Sequence, residues 1–190
     1  IGLIALLYGV AVLWGRIPLM RFAKAVAPAQ VVAISTQSSL ASLPVMVERA
    51  RDGLGVSQAA AGLVLPLAVA VFRITSPVAN LAVCLYVAHL YGVALSPGLL
   101  VAGGLTAIAV SIASVGLPGQ VSFFAAVGPI CLAMGLPLGV LPLLLAVEVI
   151  PDIFRTVGNV TADLVATKIA EGAQSDEAIE KAEAATSRAR

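Results

Sequence analysis

Glu148-Val-Ile-Pro-Asp-Ile-Phe-Arg-Thr-Val-Gly-Asn-Val-Thr-Ala-Asp163 sets charged and amide side chains into an otherwise apolar run. A helix turns about 100° per residue, so Glu148, Asp152, Arg155, Thr156, Asn159 and Asp163 fall within an arc of roughly 100°. They make one polar stripe on an apolar helix. In a bilayer each ionisable group costs about 2.5–3.5 kcal/mol at mid-depth, and that cost falls only where the group faces a protein-lined, partly wet cavity. The stripe therefore reads as a binding site.

Composition supports the membrane premise separately. Hydrophobic residues make up 60% and charged residues 11%, mean hydropathy is +1.05, and an ordinary soluble domain carries about 25% charged residues. The formal charge of +1 says little, because position matters more than the sum. Cys84 and Cys131 lie in apolar runs and are expected to be buried free thiols. His89, the one histidine, stands at the end of an apolar stretch, which disfavours a metal site and a Ser-His pair. Nothing in this balance calls for a nucleic-acid partner. Residues 1–15 lack a basic start and a cleavage site, so the chain reads as beginning inside a spanning helix.

Outward from the stripe, hydrophobic segments alternate with interruptions. Residues 1–24 read as a spanning helix followed by a basic flank of Arg16, Arg21 and Lys24, which marks a cytoplasmic exit. Residues 25–47 carry Ser35-Thr-Gln-Ser-Ser-Leu-Ala-Ser-Leu-Pro44 at their centre, too polar for a single span. They read as a re-entrant hairpin of two half-helices, with a helix–turn–helix lying on the membrane as the other possibility. Residues 59–90 can span but are broken at Phe72-Arg-Ile-Thr-Ser-Pro77, where Thr75 and Ser76 could bond the carbonyls that Pro77 frees. A second hairpin is expected over 99–134 around Val115-Gly-Leu-Pro-Gly-Gln120, and a last span over 138–169. Residues 171–190 are polar and read as a cytoplasmic helix or a disordered end. The expected fold is an all-α membrane protein with an inverted repeat, 25–90 corresponding to 99–169, and two re-entrant hairpins.

The order of these segments, with Ser38-Ser39, Leu43-Pro44, Leu65-Pro66-Leu67, Ala113-Ser-Val-Gly116, Leu117-Pro-Gly119 and above all Asp152, Arg155, Thr156, Asn159 and Asp163, resembles the C-terminal half of the dicarboxylate/amino acid:cation symporters, the glutamate/aspartate transporters. The resemblance covers roughly residues 15–170. It implies a secondary active transporter of acidic amino acids or dicarboxylates working by alternating access, and it implies roles. Arg155 would clamp the side-chain carboxylate of a small anionic or zwitterionic solute. Asp152 would receive the α-ammonium, Thr156 and Asn159 would hydrogen-bond the solute, and Ser38 and Ser39 would offer backbone donors. Asp163 with Asn159 would belong to a cation site. The other possibility is that Asp152 and Arg155 pair with each other as a packed i,i+3 ion pair.

Departures from the family pattern bear on coupling. Where the family carries Asn-Met-Asp-Gly-Thr, this chain has Phe72-Arg-Ile-Thr-Ser76, losing a carboxylate and gaining a fixed cation. The second tip is also shorter, and Gln37 replaces an arginine found in some members. Sodium coupling is therefore not expected in its usual form. Arg73 is expected to stand in for a sodium ion by placing its guanidinium near Asp163 or Asp152, or else to snorkel or pair without a coupling role, and coupling would pass to protons through Glu148 or Asp152, or give way to exchange. No organic cofactor is implied, and the coupling cation stays open between Na+ and H+. The resemblance further implies a homotrimer when full-length, a multi-pass place in the inner (cell) membrane, and a cytoplasmic C-terminus. An enzyme is disfavoured, since neither His-Glu-x-x-His nor Gly-x-Ser-x-Gly occurs. The rival reading is a truncated or degenerate non-transporting paralogue.

Overall fold

In the computed structural model the backbone is described for residues 1–113 and 120–188, and side chains for 1–113 and 122–174. Among the described residues every regular element is helical and there is no strand. The tip expected at Val115–Gln120, with Ser114, Gly116 and Leu117-Pro-Gly119, lies outside the fully described residues.

The chain opens with α1 (Gly2–Leu13) and turns through Arg16, which has a φ of 51°. The second helix, α2 (Leu19–Thr36), starts directly after Pro18, which supplies the extended backbone of a helix entry. This start lies six residues ahead of position 25. Arg21 and Lys24 consequently sit in the first turns of α2 rather than in a loop flank, where their long stems can run along apolar surface to bring the charges out. Gln37, at φ 50°, ends α2 in the left-handed region, and α3 (Ser39–Asp52) follows with Ser38 as its cap. Arg49 Nε near the end of α3 donates to Ala25 O near the start of α2 at 3.1 Å, so the two run antiparallel.

Next come α4 (Gln58–Val71) and α5 (Thr75–Leu90), separated by non-helical Phe72–Ile74. The interruption is narrower than Phe72–Pro77, because Pro77 falls in the first turn of α5, where its missing amide costs nothing. Taken together, Gln58–Leu90 form a 33-residue stretch long and apolar enough to cross a membrane. Helices α6 (Pro97–Ala113) and α7 (Gln120–Ala133) pack against each other. A Cβ on Gly103 near the start of α6 would meet Met134 just past the end of α7, so this pair is antiparallel too.

The span expected over 138–169 is two elements. Short α8 (Leu141–Leu145) is followed by turns through Glu148, and α9 (Val149–Arg188) then begins. Asp152 N still donates to Glu148 O at 2.9 Å, which keeps Glu148 in register with the stripe. Helix α9 continues past Ile169 to Arg188, so the tail is helical in its backbone that far.

Two apolar clusters hold the bundle. One joins α1–α4 and α9 through Phe22, Met46, Leu65, Val160 and Leu164. The other joins α5–α8 through Val87, Phe123, Ile130, Met134 and Leu141. Cys84 and Cys131 are buried free thiols in the second cluster, their sulfurs 3.5 Å apart. Polar ties reach α9 from the first: Gln30 Nε2 donates to Thr161 Oγ1 at 2.8 Å and meets Tyr8 Oη at 3.0 Å. Helix α9 packs against α1, α2, α3, α4 and α5 and so forms the axis of this half. Large apolar side chains such as Leu63, Leu67, Val78, Leu105, Ile108 and Leu132 cover the outside, the inverse of a soluble surface.

Candidate functional site

The stripe of α9 faces inward. Glu148, Arg155, Thr156, Asn159 and Asp163 are all buried, the last two at 1% exposure. Burying so many polar groups is tolerable only if they satisfy one another, and the pairing is extensive. Arg155 makes a buried ion pair with Glu148, and its Nε lies 3.6 Å from Asp152 Oδ1. Its Nη1 donates to Asn80 Oδ1 on α5 at 2.8 Å. The i,i+3 pair of Asp152 and Arg155 thus exists, but Glu148 and Asn80 share the same guanidinium.

The break between α4 and α5 is fastened to this stripe. Thr75 N donates to Asn159 Oδ1 at 3.0 Å, and Asn159 Nδ2 donates to Ser76 Oγ at 3.1 Å. Thr75 Oγ1 lies 2.7 Å from Arg155 O and 2.6 Å from Asn159 Oδ1, its one proton serving either acceptor. Thr75 and Ser76 were expected to bond carbonyls of their own helix; they bond α9 instead. Contact this close needs Gly158, because a Cβ there would stand 2.5 Å from Thr75 Cγ2.

Arg73 is carried by the break itself. It is half-buried and close enough to Asp152 and Asp163 for direct charge–charge attraction, while Arg155 repels it. Asp163 Oδ1, one turn beyond Asn159, is buried without a hydrogen-bond partner among the described residues.

These groups meet around a cavity of about 20 Å³, room for one water. Asp152, Arg155 and Thr156 enter it from α9, Arg73, Ser76 and Asn80 from the break and α5, Gln37 from the turn between α2 and α3, and Ser39 from the first residue of α3. Ser111 and Ser122 complete the polar wall from α6 and α7. Ser39 thus reaches the cavity whereas Ser38 works as a cap, its Oγ accepting from Ala41 N at 3.2 Å. Asn159 and Asp163 are not among the residues that line the cavity. Sequence reasoning singled out Gln37 only for replacing an arginine, and passed over Ser76 and Asn80 as site residues. Ser76 and Asn80, at i+3 and i+7 from Arg73, form a polar face that helical spacing could have exposed.

Chemically, the arrangement offers two guanidinia, Arg155 buried and Arg73 half-buried, with hydroxyl and amide donors to an anion, and carboxylates to a cationic group. Residues 1–173 match the sodium:dicarboxylate symporter family. The chain belongs to that family, and is therefore a membrane protein of a solute-transporter class, not an enzyme. Among its relatives, mouse excitatory amino acid transporter 3 is 33% identical over 153 residues, covering 80% of this chain and 28% of that protein. Mouse excitatory amino acid transporter 2 is 31% identical over 137 residues, 71% of this chain and 23% of that protein. An excitatory amino acid transporter of Caenorhabditis elegans is 29% identical over 150 residues, 78% of this chain and 29% of that protein. The chain spans less than a third of the length of these relatives.

Proposed function

We propose that this chain is the solute-binding part of a secondary transporter for acidic amino acids or dicarboxylates. The observation that carries the reading is Arg155, buried and held between Glu148, Asp152 and Asn80 at a cavity where helix interruptions converge. A guanidinium fork in a water-poor pocket suits a carboxylate better than any other common group. Asp152, without an α-ammonium to meet, would be a carboxylate facing an anionic ligand. An amino acid therefore fits better than a plain dicarboxylate. Thr156 and Ser39 are its further contacts, Asn159 holds the break in position, and Ser38 orders the turn that carries Ser39.

The wider architecture is part of the proposal. Residues 1–170 act as one transport unit, in which α2 with α3 and α6 with α7 are re-entrant hairpins. The unit 25–90 is repeated in inverted sense by 99–169. Interrupted segments recurring in both halves are the mark of alternating access about a mid-membrane site. The full-length protein is a homotrimer, multi-pass in the cell membrane, with the tail 171–190 cytoplasmic. Glu148, Asp152 and Asp163 face two guanidinia, Arg73 and Arg155, so the fully ionised cluster is one negative charge in excess. An acidic amino acid adds another, and a proton taken up with it, or exchange of one solute for another, balances the charge.

The test is binding of radiolabelled aspartate, succinate and serine to the full-length protein, repeated with Arg155→Ala. Aspartate should bind best, and R155A should lose it by about 100-fold or more, a buried charged contact being worth about 3 kcal/mol. Equal binding by both proteins overturns the clamp. One observation favours a second reading, a non-transporting paralogue: Arg155 is already neutralised and the cavity holds no more than a water. Absence of binding by all three solutes selects that reading.

A further inference from the structure

The charge balance of the buried cluster and the attachment of the break to α9 lead to one step more, which rests on the carrier reading above. Helix α9 and the turn before it carry Glu148, Asp152 and Asp163, and among the described basic residues of α9 Arg155 is buried whereas Lys168 is partly exposed. Arg155 is committed to Glu148 and Asp152. Asp163 lies two turns further along, 1% exposed, with Oδ1 unpartnered by hydrogen bonds among the described residues. A carboxylate so placed needs a positive charge nearby.

The break supplies it. Phe72–Ile74 is pinned by Thr75 and Ser76 to Asn159, one turn before Asp163, and Gly158 lets the two backbones close up. Arg73, carried by this fixed stretch of backbone, lines the same cavity as Asp152 and Arg155, and its charge also acts on Asp163. A guanidinium is always charged, so it cannot leave with the solute or be withdrawn by a pH change. We propose that Arg73 is the resident cation of this site, occupying the position at which an inorganic monovalent cation would neutralise Asp163, so that solute binding does not require Na+.

A second cation entering beside Arg73 would meet like-charge repulsion at close range, whereas removing the guanidinium leaves a vacancy of the right charge between two carboxylates. The decisive experiment measures labelled aspartate binding and thermal unfolding of the full-length protein at fixed pH, in NaCl and in choline chloride. Wild-type affinity and Tm should each be unchanged between the two salts, affinity to within about twofold. Arg73→Met should lose at least about tenfold in choline and regain most of it in NaCl, with a Tm that rises with Na+. Arg73→Lys, which keeps the charge, should remain indifferent to Na+. The double change R73M/D163N, which removes both charges, should lose the Na+ response that R73M gains.

Aspartate binding that climbs steeply with Na+ in the wild type, yet vanishes in R155A, leaves the carrier reading standing and overturns this inference. Indifference of R73M to Na+ in both affinity and Tm overturns it as well. Should wild type bind no acidic solute in either salt, the carrier reading fails and this inference falls with it.

Discussion

At the scale of single residues, the site is governed by how Arg155 divides itself. Glu148 pairs with the guanidinium, in the place that the proposed function gives to a solute carboxylate. Two consequences of opposite sign follow for Glu148→Gln. The protein without ligand should lose about 1–3 kcal/mol, because one of the two carboxylates that hold Arg155 no longer attracts it while Asp152 remains. Aspartate should bind more tightly, having one internal competitor fewer. Thermal unfolding with and without aspartate measures both, and a variant as stable as wild type without ligand would mean that the pair contributes nothing. Asn159→Ala should cost about 1–3 kcal/mol through the orphaned Thr75 amide, read by the same unfolding experiment. The stripe was legible because ionisable groups in an apolar helix are costly, and a cost of that size forces a common direction. Asn80 was not legible as an arginine partner: an amide is cheap enough to bury for many reasons, and only the fold brings it within 2.8 Å of Arg155. Ser38 and Ser39 look alike as sequence, yet one hydroxyl is spent on a helix cap.

At the scale of elements, the contact between the α4–α5 break and α9 decides the geometry. Gly158 is the residue to test. In an unencumbered helix Ala is favoured over Gly by about 1 kcal/mol, so Gly158→Ala should stabilise α9 if nothing touches it. With Thr75 at 2.5 Å from the new methyl, the expected result is a loss of about 1–3 kcal/mol and weakened aspartate binding, as the break is pushed away from Asn159. A rise in Tm on that substitution would contradict the close approach. The break itself could be read from Thr75, Ser76 and Pro77 lying within an apolar run, because proline costs an amide wherever it falls past the first turn. Its exact extent could not, since Pro77 is harmless in the first turn and the restart at Thr75 is set by bonds to α9, 80 and 84 residues away in sequence. The start of α9 at Val149 was hidden for a related reason. Glu148 keeps helical register with Asp152 across the turn, so periodicity runs on where the helix does not.

At the scale of the whole molecule, the described residues form a helical bundle whose apolar side chains face outward as well as inward and whose buried ionisable groups, Glu148, Arg155 and Asp163, lie on one stripe beside Asp152. That distribution fits lipid or other apolar partners outside, and the buried polar locus is the part that the proposed function assigns to a solute. Composition carried this much directly, because 11% charged residues cannot clothe a bundle of this size in water. The balance of charges at the locus depended on folding, which brings Arg73 from the break to the carboxylates of α9. The most direct measurement is counterflow of labelled aspartate into proteoliposomes of the full-length protein preloaded with unlabelled aspartate. Wild type should accumulate label and Arg155→Ala should not. Equal accumulation by both, or none by wild type, would contradict the account.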